Sequence, residues 1–150
     1  MEREQVQFES PFGAETAEDV LRNVAYAYIG MRDSLLRGEA PFASHLLYTQ
    51  MLDDQDKLER EIGIEAGLEI GKWAVRTVVY EDLGISRGMH YGIENANKLS
   101  RPVEYRRLYD ETLDGEEISR LVMEDYANKF KSAGDKLDGA RAIYTSGMNN

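Results

Sequence analysis

A chain of 150 residues, 42% hydrophobic and 31% charged, has room for one domain with a substantial core, and excludes both intrinsic disorder and two ordinary domains. Its net charge of −10 sets the surface against a phosphate backbone, so general nucleic-acid binding is excluded and only a local basic pocket is left open. The absence of cysteine removes disulfides, thiolate nucleophiles and thiolate metal sites, and fits a reducing compartment. The opening "MEREQVQFES" has no apolar signal-peptide core, and no apolar run is long enough to span a bilayer. The expectation is one cytoplasmic domain over residues 1–150, with no membrane partner and no cofactor.

"VQFES" (6–10) reads as the first strand, with Val6 and Phe8 alternating against polar neighbours before Pro11 and Gly13 end it. Thr16 and Asp19 resemble a capping pair opening a helix over 17–38, where Val20, Val24, Ala27, Met31 and Leu35 repeat at helical spacing and Gly38 is the stop. "APFASHLL" (40–47) reads as a second strand. A polar, acidic passage leads to a second long helix over 57–74, which carries Gly63, Gly67 and Gly71 along one face. Glycine costs roughly 1 kcal/mol relative to alanine inside a helix, so three in register point to a close backbone approach.

"VRTVVY" (75–80), β-branched and apolar, is the clearest strand. The turn and helix of residues 84–100 follow, and then a strand in "RPVEYRRLY". From Asp114, Ile118, Leu121, Val122 and Phe130 mark an amphipathic helix; the final "YTSGMNN" reads as loose chain. The alternation of strands and helices implies an α/β fold, flavodoxin-like or Rossmann-like. It has a parallel sheet of about four to five strands, helices on both faces and an extra C-terminal helix. Ligands of such sheets bind beyond the carboxyl ends of the strands, which brings together "SPFG" (10–13), "SHLLY" (44–48) and "GISRGMHYG" (84–92).

"GISRG" (84–88) has two readings. Ser86, Arg87 and the Gly88 backbone form an anion cradle at a helix N-terminus, or Ser86 is simply the N-cap of a strand-to-helix turn. "SPFG" wraps a sugar or phosphate, or is only a tight turn. His45 and His90 lack any metal-ligand spacing, so no metal site is expected; His45 remains a hydrogen-bonding candidate for a ligand. Carboxylates available as acid, base or nucleophile are Glu9, Asp53, Asp54, Glu81, Asp82 and Glu94. Glu94 shares a helix face with His90, where surface pairing is the plainer account.

The stretches 9–28, 40–46 and 78–105 resemble the nucleoside 2-deoxyribosyltransferase-like superfamily, which includes the 2′-deoxynucleoside 5′-phosphate N-hydrolases and many bacterial and phage relatives. The resemblance covers roughly residues 6–108 and is most specific at the third loop. In the hydrolases that loop reads S-x-G-x-x-Y-E-x-G-x-A and leads to G-x-P-V. Ser86, Gly88, Tyr91, Ala96, Pro102 and Val103 fall on matching positions. The resemblance implies that Ser86 holds a 5′-phosphate; Arg87, Gly88, His90 and Gly92 are the further ligand-binding candidates of this stretch. It also implies that Ser10, Pro11, Phe12 and Gly13 wrap the sugar, and that the protein works as a homodimer or higher homo-oligomer. The glycine face of the second long helix and the helix from Glu116 offer surfaces for that assembly.

The departure falls at the chemistry. The family's nucleophilic glutamate corresponds to Gly92 here, and its glycine two places later to Glu94. Residues two apart on a helix point about 200° apart, so Glu94 does not simply replace the missing group. Three functions follow. The first is a nucleotide-binding protein that sequesters a nucleotide or nucleotide-derived signal without the glycosidase step. The second is an N-glycosidase or deoxyribosyltransferase that uses a displaced carboxylate, with Glu94 and Asp82 as the catalytic candidates. The third is a non-catalytic assembly protein.

Overall fold

A computed structural model describes residues 2–130 of the chain. Its sheet has four parallel strands in the order β2-β1-β3-β4: β1 Gln5–Glu9, β2 Ala40–Phe42, β3 Arg76–Tyr80 and β4 Val103–Arg106. The helices are α1 Ala17–Leu36, α2 Ser44–Leu47, α3 Lys57–Gly71, α4 Arg87–Lys98 and α5 Gly115–Lys129. This is the Rossmann-like α/β fold expected, ending in the extra helix. Residues 131–150, including the "YTSGMNN" tail, lie outside the described residues.

Local chemistry starts and stops these elements where it should. Thr16 caps α1 by accepting the Asp19 N–H at 3.1 Å, and Gly38, at φ 90°, turns the chain out of it. Asp56 caps α3 through the Leu58 and Glu59 amides, and Asp114 caps α5 through the Glu117 amide. The core lies beside α1 and α5, built on Phe8, Tyr26, Val78, Tyr80, Ile118 and Val122. Burying each such side chain contributes roughly 1.5–3 kcal/mol. Within it the Phe8 and Tyr80 rings lie 5.0 Å apart, centroid to centroid. The inward stripe of α1 differs from the expected repeat: Ala27 is core, but Leu35 is 48% exposed while Tyr26, Ile29 and Ser34 are buried.

The second strand is shorter than expected. Only Ala40–Phe42 pairs with β1; Ser44–Leu47 turns into α2, which carries His45. The glycine face of α3 packs against the chain where it leaves the sheet. A Cβ on Gly67 would lie 2.6 Å from the Ser44 side chain, and one on Gly71 would lie 2.8 Å from Gln7 Oε1. The close approach read from those glycines is therefore made within the chain, against α2 and β1. α5 is likewise packed on α1, where Tyr28 stacks with Tyr126 at 6.1 Å. The glycine face of α3 is thus occupied within the chain, whereas α5 packs one face on α1 and leaves the other exposed.

The chain leaves β1 toward β2 on one side and enters β3 on the other. The strand order therefore reverses between β1 and β3, and a crevice opens beyond their carboxyl ends.

Candidate functional site

A cavity of about 320 Å³ fills that crevice. Its walls come from the end of β1 and the turn after it (Glu9, Ser10, Phe12, Gly13), from α2 (Ser44, His45), and from α3 (Arg60, Gly63, Gly67). The first turns of α4 close it with Ser86, Arg87, Gly88, Tyr91 and Gly92. A more open recess of about 450 Å³ adjoins it and shares Arg60, Ile64, Arg87 and Tyr91.

Ser86 is the N-cap of α4 and accepts the Met89 N–H at 3.4 Å, so both accounts of "GISRG" describe one place: the cap is also a wall of the cavity. Arg60 stands over Gly88, with its Nη2 3.8 Å from where a Cβ would be, and pairs with Asp54 at 2.9 Å. Arg60 and Arg87 thus bring positive charge to the α4 N-terminus of an acidic protein, where backbone N–H groups already favour an anion. Nothing in the sequence singled out Arg60, because an arginine four residues after a helix cap carries no pattern of its own.

His45 hydrogen-bonds Ser10 Oγ through Nε2 at 2.8 Å and lies parallel to the Phe8 ring at 6.0 Å. Burial pushes its imidazole down to about 4, so it is neutral at physiological pH and serves as a hydrogen-bonding wall rather than a cation.

Ser10, Phe12, Gly13, His45, Ser86, Arg87, Gly88 and Gly92 are brought together around the cavity, whereas Pro11 is buried beside it and His90 is exposed outside it. The two carboxylates named for catalysis are not brought in. Asp82 is buried and answered by the protein itself: it accepts from Tyr26 Oη at 2.6 Å and from the Leu108 and Tyr109 amides at 2.9 Å, pinning the segment after β4. Glu94 is exposed on the outer side of α4, as its angular offset from residue 92 requires. Glu81 and Asp53 also lie outside the cavity wall, while Asp54 is part of it.

The carboxyl that does reach the cavity is Glu9. A Cβ on Gly92 would lie 2.0 Å from Glu9 Oε1, so the two side-chain positions coincide. Burial pushes the Glu9 carboxyl up to about 8, opposed by a hydrogen bond with Gln7 and by the charge of Arg101. Its signal in the sequence was a charged residue ending an otherwise buried strand. Among the described residues, no group of three or more His, Asp or Glu side chains is clustered to hold a metal, and no helix is long and apolar enough to cross a membrane.

Residues 4–106 match the model of a family described as a domain of unknown function (DUF7768). No curated protein matches the chain. Among solved structures, the fold is similar to that of a 2-deoxyribosyltransferase from the psychrotolerant bacterium Bacillus psychrosaccharolyticus. The identity is 21%, the TM-score 0.50, and the match covers 73% of this chain and 77% of that one. At that identity the likeness shows the fold alone.

Proposed function

We propose that this chain, which belongs to the DUF7768 family, holds a nucleotide or a nucleotide-derived ligand in the cavity beyond β1 and β3. The observation that supports this most is the meeting of the Ser10–Gly13 turn with the capped N-terminus of α4 around one cavity, with Arg60 and Arg87 at its rim. The anionic end of the ligand belongs at Ser86, Arg87 and Gly88, where N–H groups and guanidinium charge converge. The sugar belongs between Phe12, Gly13 and the Ser10–His45 pair. The likeness of the fold to a 2-deoxyribosyltransferase agrees with a nucleoside moiety. With no side chain at Gly92, the ligand is bound and kept intact.

A second reading has one specific observation in its favour. Glu9 brings a carboxyl to the place a side chain at 92 would hold, so base release by a carboxylate from another element remains open to the site.

Incubation with nucleosides and their 5′-phosphates, followed by chromatography and calorimetry, separates the two. Retention of intact nucleotide is the expected result, and release of free base would give the site to the second reading. If the protein neither binds nor cleaves any member of the panel, both fall.

A further inference from the structure

The side chains of β1 alternate. Val6 and Phe8 belong to the core beside α1, while Gln7 meets α3 at Gly71 and Glu9 meets α4 at Gly92. Glu9 is the last residue of the strand, so its carboxyl stands at the floor of the cavity. α4 passes so close that a Cβ at 92 would be 2.0 Å from Glu9 Oε1 and 2.5 Å from its Cδ. Glu9 and any side chain at 92 exclude one another. We propose that Glu9 is the ligand-contacting carboxyl of this cavity, and that it takes from the end of β1 the space a side chain at position 92 would occupy. The proposal rests on the cavity being a ligand site.

Two buried carboxylates, Glu39 and Asp82, show what a structural role looks like. Glu39 is bonded by Ser34, Arg76 and Arg106, and Asp82 by Tyr26 and two backbone amides. Each is answered by protein donors, as burial demands. Glu9 has only Gln7 and the more distant Arg101 to favour its charge, and its carboxyl is pushed up to about 8.

The titratable and polar groups that share the cavity with Glu9 come from several elements. From the turn after β1 comes Ser10, and from α2 the neutral His45. From α3 come Arg60, already paired with Asp54, and Glu59. From α4 come Arg87 and Tyr91, and from the segment between α3 and α2 come Tyr48 and Asp54. Arg101, behind Gln7, donates to Thr77 and to the Gly71 carbonyl. Among the described residues, no lysine or arginine forms an ion pair with Glu9, whereas Arg60, Arg76 and Arg106 each have carboxylate partners of their own.

A carboxyl pushed up to about 8 favours the carboxylic acid at neutral pH, which donates one hydrogen bond and accepts another. That pair of functions suits an uncharged polar edge, such as the donor–acceptor edge of a nucleobase or neighbouring sugar hydroxyls. It disfavours a second anion. The anionic part of the ligand is left to Arg60, Arg87 and the first turn of α4.

The test is calorimetry of 2′-deoxyadenosine 5′-phosphate and adenosine 5′-phosphate against wild type, Glu9→Gln and Glu9→Ala, with thermal unfolding to show that each variant is folded. Wild-type affinity is expected to fall as pH rises from about 6 to about 9, as the carboxyl loses the proton it donates. Glu9→Gln, which keeps a donor and an acceptor, is expected to bind within about twofold of wild type and to lose the pH dependence; Glu9→Ala is expected to bind roughly tenfold more weakly. Wild-type affinity and an unchanged pH profile in Glu9→Ala, or in Glu9→Gln should the alanine variant not fold, would overturn the assignment.

If neither these two nucleotides nor any other member of the panel binds wild type, the nucleotide reading falls, but the role of Glu9 is not yet decided. Carbodiimide coupling to glycine ethyl ester near neutral pH, mapped by mass spectrometry, then decides it. Modification of Glu9 ahead of the exposed carboxylates shows a protonated carboxyl open to the cavity. An unmodified Glu9 overturns the proposal.

Discussion

Glu39 and Glu9 are both carboxylates enclosed by the same sheet, and the protein treats them in opposite ways. Glu39 lies just before β2, where Arg106 and Arg76 each bond it at 2.7 Å and Ser34 donates at 2.6 Å. These partners hold its carboxyl well below the usual range, at about 2, with Arg106 the largest cause. Glu9, at the end of β1, has a cavity on one side and, among the described residues, no ion pair with lysine or arginine, and its carboxyl rises to about 8. A buried carboxylate whose lone pairs are all met by the protein holds the fold together. One that is left largely unmet is available to something from outside.

Breaking the closed network is expected to have the largest effect. Glu39→Ala leaves Arg106, whose side chain is 5% exposed, without its main counter-charge, and should destabilise the fold by about 3–5 kcal/mol in denaturant unfolding. The pH dependence has a definite sign. A depressed folded pKa gives stability that is complete above the unfolded value of 4.5 and is lost as pH falls toward about 2. Wild type should therefore lose stability steeply over that acid range, and the Glu39→Ala variant much less. A variant as stable as wild type, with the same acid limb, would show that the network is incidental.

Glu9→Gln tests the open side of the comparison and should act in the opposite direction. Because the folded pKa of Glu9 is raised, its contribution is complete below 4.5 and is lost as pH rises toward about 8. Wild type thus carries an ionisation cost at alkaline pH that the amide does not. The glutamine variant should be the more stable at about pH 8, by up to roughly 3 kcal/mol once cavity water is allowed for, and the gap should close near pH 5. Thermal unfolding across pH reads this directly. A glutamine variant less stable than wild type throughout would mean that the charged form is held by partners after all.

The sheet and the three loops at its carboxyl edge were legible in the sequence because strands such as "VRTVVY" and caps such as Thr16 and Ser86 are local signals. The end of the second strand was not. "APFASHLL" keeps its apolar content through 47, yet the chain turns at Ser44 into a helix that packs against Gly67, a residue of another helix. The walls of the candidate site were legible where they are made of backbone shape, at the Ser10–Gly13 turn and the Ser86–Gly88 cap. They were illegible where they are made of contacts between elements, as with Arg60 over Gly88 and Glu9 against Gly92. Asp82 closes a strand where a catalytic carboxylate is often found, yet its partners come from α1 and from the segment after β4. No local pattern announces that.

The smallest expected effect is also the sharpest test of the Glu9–Gly92 pair. On an ordinary helix interior, Gly→Ala stabilises by roughly 1 kcal/mol. At position 92, which is buried in α4, the added methyl would meet Glu9 Oε1 at 2.0 Å, so Gly92→Ala should instead destabilise wild type. The expected cost is about 1–2 kcal/mol, because the carboxyl must leave a low-energy rotamer or push the helix away. In a Glu9→Ala background the obstacle is gone and the ordinary helix preference returns, so the same substitution should become neutral or mildly stabilising. The cycle should therefore show a favourable coupling of about 1–2 kcal/mol between two substitutions that are far apart in sequence and in contact in space. Denaturant unfolding of the four proteins measures it. Additive effects would mean that Glu9 moves aside at no cost and that the glycine is not held there by the carboxyl.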